Sequence, residues 1–188
     1  MKTTLRELII GLLLIVISCR QTSNNENSIT KANSDTNNFK KNTNDSFANL
    51  KKQKLDYIIF GRFCGECSGE CATMYKLDIL NNKLLTDHTD SYWNYKWGTP
   101  MKFETHIDDE TKKILSKQIL DSIPNSILTT HKPAERFGCP DCTDGCGIFF
   151  ETKSDTTIKK FYLDYQTEQL TGDIKLFAEY LKKIIEKL

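Results

Sequence analysis

Apolar positions along the chain from about residue 52 onward recur with two periods, and the changes of period predict the elements. Leu55 to Phe63 is a nearly unbroken apolar run of strand character. From Thr73 to Ile79 the pattern alternates, with Tyr75, Leu77 and Ile79 on one side and Met74, Lys76 and Asp78 on the other. A turn at Asn81-Asn82 follows, and Leu84 and Leu85 begin the return strand. Met101 to His106 alternates more weakly. Over Asp109 to Ile123 the period lengthens: Leu115, Ile119 and Ile123 repeat at helical spacing, Asp108 is placed to cap the first turn, and Pro124 stops the helix. Ile148 to Thr152 and Thr157 to Tyr165 return to strand character around a Lys153-Ser154-Asp155 turn, which predicts an antiparallel hairpin. A final helix carries Ile174, Phe177, Ala178, Leu181, Ile185 and Leu188 on one stripe. Thr171 or Asp173 can cap it, and Lys182, Lys183 and Lys187 suit the negative end of its dipole.

Together these elements predict an α+β fold, an antiparallel sheet with two packed helices, contained in a single cysteine-stapled domain over residues 52–188. No repeat and no internal linker divides it.

The N-terminal segment reads differently. Lys2 and Arg6 precede ten residues, Leu8 to Ile17, that are apolar apart from Gly11. Ten is about half the roughly 20 residues a helix needs to cross a bilayer core, so a cleavable signal peptide over 1–18 is expected rather than a retained span. The run ends in Val16-Ile17-Ser18-Cys19, which resembles the bacterial lipobox. The resemblance implies cleavage before Cys19 and lipid on its sulfur and amine, several acyl chains together giving a stable anchor. No twin-arginine pair is present, so export by the general secretory route is expected. Residues 19–51 then read as a lipidated Cys19 and a disordered tether: from Arg20 to Leu50, 17 of 31 residues are Asn, Ser or Thr. A coil of that length reaches about 30 Å.

Charge narrows the function classes. The whole chain has 26 Lys+Arg and 25 Asp+Glu, and removing residues 1–18 takes away Lys2, Arg6 and Glu7, leaving 24 of each. A neutral mature chain has no excess of cations to displace phosphate counterions, so no nucleic-acid partner is expected. The expected setting is the bacterial cell envelope, with the domain facing the periplasm or the cell surface.

Six cysteines remain for the domain, in two segments of identical spacing: Cys64-x2-Cys67-x3-Cys71 and Cys139-x2-Cys142-x3-Cys146. Three chemistries fit. In an oxidising compartment an even number of cysteines favours disulfides, although six cysteines allow 15 pairings. The loop-entropy model gives about 2 kcal/mol for a bond closing a four-residue loop and roughly 4 to 5 for one joining the clusters across some 80 residues, so at least one cross-cluster bond would stabilise most. A second reading is a metal site, with Cys64, Cys67, Cys139 and Cys142 holding zinc, or all six thiolates holding copper(I). Thiols outside the cytoplasm tend to oxidise before they meet a metal, which ranks this second. The third reading is thiol exchange at Cys139-Pro140-Asp141-Cys142, but the motif runs through Gly145 and Gly147 into a strand pattern rather than a helix, and no β-α-β unit surrounds it.

The Phe63 to Cys71 segment with its C-x3-C, together with Gly138-Cys139-Pro140-Asp141-Cys142, is similar to motifs in uncharacterised lipoproteins and secreted proteins of Bacteroidota, over about Asp56 to Leu188. This chain adds Cys64 and Cys146 to the shared pattern. The resemblance implies that these two form an added bond, leaving Cys67, Cys71, Cys139 and Cys142 as the common set. It implies no activity.

Trp93, Tyr95 and Trp97 alternate with Tyr92, Asn94 and Lys96, which in an extended segment would put three aromatics on one face, as a ligand platform or as core. His88, His106 and His131 are scattered, no nucleophile elbow is present, and Asp108-Asp109-Glu110 suits a helix start rather than a calcium loop. The sequence therefore supports no enzyme. It points to a lipid-anchored envelope protein with a disulfide-stabilised binding or structural domain, without a cofactor, whose alternative is a zinc, copper or thiol-redox protein using the same cysteines.

Overall fold

Strand β1, Tyr57–Cys64, runs through the middle of the sheet and is paired on both sides, which explains why it is apolar along most of its length. The structure is a computed structural model that describes residues 54–142 and 145–188. The expected signal peptide, Cys19 and the whole of the expected tether lie outside the described residues. Along the chain follow β2 (Ala72–Asp78), β3 (Lys83–Asp87), α1 (Ser91–Tyr95), β4 (Thr105–His106), α2 (Glu110–Ser122), α3 (Asn125–Thr129), β5 (Ala134–Phe137), β6 (Cys146–Ser154), β7 (Thr157–Asp164), a short 3-10 turn and α4 (Gly172–Ile185). The seven strands form one sheet in the order β4-β3-β2-β1-β6-β7-β5. Every pairing is antiparallel except that of β5 with β7.

Alternation along the strands gives the sheet two different faces. On one, Ile58, Phe60, Tyr75, Leu77, Leu84, Ile148, Phe150, Phe161 and Leu163 pack against Ile119, Ile127, Phe177, Leu181 and Ile184 of the helices, as the main core. Each such side chain contributes about 1.5–3 kcal/mol by leaving water. The other face carries a smaller cluster, Ile59, Phe63, Ala72, Met74, Tyr92 and Phe149, against which α1 and the chain that follows it pack.

The expected α+β architecture is present, with differences at particular elements. Among the described residues there are four helices rather than the two expected, because five-residue helices follow Asp90 and Pro124. Asp109, not Asp108, caps α2, accepting from the Thr111 and Lys112 amides at 2.8 and 3.2 Å. Only Thr105 and His106 of the weak Met101 to His106 segment pair as strand. In the β6–β7 hairpin the turn is Asp155-Thr156, where Asp155 adopts φ 52°, a left-handed conformation that a short polar residue tolerates. The expected helix stripe is present, Ile174, Phe177, Ala178 and Leu181 being buried and Ile185 and Leu188 packed at the core's edge, with Ile184 buried in addition.

The extended segment expected around the aromatics is a helix. In α1, Tyr92 and Tyr95 are one turn apart and both reach the sheet, Tyr92 stacking on Phe63 (centroids 4.9 Å) and Tyr95 meeting Phe149 edge-on (6.2 Å). Burying Tyr92, the residue an extended reading turns away, sets this conformation. Trp93, Tyr95 and Trp97 consequently share no flat face: Trp93 is half-buried, Tyr95 reaches the sheet, and Trp97 is 87% exposed.

Candidate functional site

All six cysteines of the domain lie at one end of β1 and β6, and all are paired. Cys64 is the last residue of β1 and Cys146 the first of β6; they are register partners with Cα atoms 4.0 Å apart and are joined by a disulfide. This is the cross-cluster bond expected from loop entropy. Cys67–Cys71 and Cys139–Cys142 close their own loops. The two loops meet where the Gly65 amide donates to the Gly145 carbonyl at 3.1 Å, and the first loop is closed on itself by the Cys64 amide donating to the Cys71 carbonyl at 2.8 Å.

The zinc set proposed from spacing is divided among three different disulfides, so Cys64, Cys67, Cys139 and Cys142 are not assembled as free thiolates. Among the described residues no group of three or more His, Cys, Asp or Glu side chains is placed to hold a metal ion. No helix among them is long and apolar enough to cross a membrane.

The loop carrying Cys139 and Cys142 is fixed from several sides. The buried Asp164 carboxylate accepts from the Cys139 amide at 2.9 Å. Arg136 donates to the Pro140 carbonyl at 3.2 Å, and Lys96 lies 3.5 Å from Asp141. Gly147 makes this approach possible, since a Cβ there would fall 2.3 Å from the Phe63 ring and 2.9 Å from Pro140 Cβ. Beneath the loop, Tyr92 is wholly buried and its hydroxyl has no hydrogen-bond partner among the described residues. The charges that act on it are those of Tyr162, Asp141 and Arg136, while burial holds its pKa far above the ordinary tyrosine value.

A second polar cluster, absent from the sequence reading, occupies the same face of the sheet farther along β6. Glu151 is 0% exposed. Its two oxygens accept from Tyr95 at 2.5 Å and from Tyr57 at 3.2 Å. Burial raises its pKa above the ordinary carboxylate range, against the opposing hydrogen bond from Tyr95 and the charge of Lys160. In the sheet, Lys76, Ile59, Glu151 and Lys160 form one row across β2, β1, β6 and β7. The ammonium of Lys160 rests over the Tyr95 ring at 3.9 Å and that of Lys76 over Tyr57 at 4.3 Å. This arrangement ties α1 to the sheet and compensates the buried acid. It brings together no nucleophile, base and substrate cavity. A shallow pocket of about 410 Å³ lies at the other end of β1 and β6, beside Leu55, Leu80 and Asp155, and contains none of these groups.

Neither a family model, nor a curated protein, nor a solved structure matches this chain.

Proposed function

We propose that this protein is a bacterial envelope lipoprotein, held on a membrane surface by acyl chains on Cys19, whose disulfide-stapled domain serves a binding or structural role there. The observation that carries the reading is the pairing of all six remaining cysteines, with Cys64 and Cys146 meeting at register positions of adjacent strands. Disulfides persist outside the reducing cytoplasm, and this agrees with the lipobox-like ending of the leader. Trp97, exposed just after α1, offers an apolar contact for a partner.

Two measurements test it. The protein isolated from cells without reductant should have a mass lower by six protons than its fully reduced form, the signature of three disulfides. Six free thiols with stoichiometric metal would defeat the disulfide assignment. Separately, Cys19→Ala should abolish lipidation and membrane retention; a variant still lipidated and membrane-bound would defeat the anchor assignment.

A further inference from the structure

We draw no further inference here: the strongest candidate, the Glu151 side-chain cluster beneath α1 with Tyr57, Tyr95, Lys76 and Lys160, belongs to the site already described, where the two lysines offset the buried acid and nothing among the described residues points to a ligand or a partner for it.

Discussion

Cys64 and Cys146 face each other across β1 and β6 as the last pair of an eight-residue register, their Cα atoms 4.0 Å apart. The first cysteine of one cluster thus bonds to the last cysteine of the other. Antiparallel strands require this: where β1 ends β6 must begin, so identical spacing in the two clusters is brought together in opposite directions. Cys67 and Cys71, and Cys139 and Cys142, are left on the outgoing and incoming loops and pair locally.

The disulfides should therefore contribute unequally. Removing the cross-strand bond with Cys64→Ala/Cys146→Ala frees a separation of 82 residues in the unfolded chain. A loss of about 2–4 kcal/mol is expected, somewhat below the entropic ceiling because some structure persists in the denatured state. Cys139→Ser/Cys142→Ser, closing only a short loop, should cost about 2 kcal/mol or less. Urea unfolding midpoints of the two variants, compared at equal slope, check the ranking; a larger loss for the loop variant would contradict it.

Glu151 makes a prediction about pH. Its pKa is raised in the folded protein, chiefly by burial, above the value of about 4.3 expected once the chain unfolds. Between the two values the folded state holds a proton that the unfolded state has lost, so this group's contribution to stability falls as pH rises through that window. Glu151→Gln cannot titrate and should remove the decline. The difference in unfolding free energy between wild type and Glu151→Gln, measured from pH 4 upward, should therefore shift in favour of the variant as pH rises. A difference independent of pH would refute the assignment.

What could be read from the sequence depended on how local the deciding contacts are. The β2–β3 and β6–β7 hairpins and α4 announce themselves because their own apolar residues repeat at the period of the element, as Tyr75 and Leu77 or Phe177 and Leu181 do. Helix α1 does not, because the alternation of Trp93, Tyr95 and Trp97 imitates a strand and the burial of Tyr92 depends on Phe63 and Phe149 of other elements. Strand β5 is four residues with no buried side chain, held at the sheet edge by backbone pairing to β7. Within the Ile148 to Thr152 strand pattern nothing local marks Glu151; Tyr57 and Tyr95, 94 and 56 residues distant, make it a buried anchor. The paired cysteines were legible as a group, but their pairing required the strand directions.

The Tyr92 hydroxyl offers a test of opposite sign to most substitutions. It is buried with no hydrogen-bond partner among the described residues, while the ring packs against Phe63, Trp93 and Phe149. Tyr92→Phe keeps the ring and removes the unsatisfied oxygen, so stability should be unchanged or rise by about 1 kcal/mol. By contrast, Tyr95→Phe deletes the 2.5 Å bond to the Glu151 carboxylate and should cost about 1.5–3 kcal/mol. Parallel thermal melts distinguish them: the two tyrosines lie one helical turn apart in the same short helix, so a general intolerance of α1 to substitution would destabilise both variants alike.

Gly147 links the sheet to the dicysteine loop by the absence of a side chain. A methyl group at this position would sit 2.3 Å from the Phe63 ring and 2.9 Å from Pro140 Cβ, and neither neighbour is the free end of a flexible chain. Phe63 is itself locked between Tyr92 and Trp93, so the ring cannot rotate away without disturbing α1. The strain of Gly147→Ala must then be relieved by moving Pro140, which carries the loop between Cys139 and Cys142 off the sheet. A destabilisation of about 1–3 kcal/mol is expected from overpacking. It should come with faster hydrogen exchange at the Cys139 amide, whose bond to Asp164 depends on the same loop position. Exchange at that amide unchanged from wild type, alongside the loss of stability, would show that the sheet rather than the loop absorbs the strain.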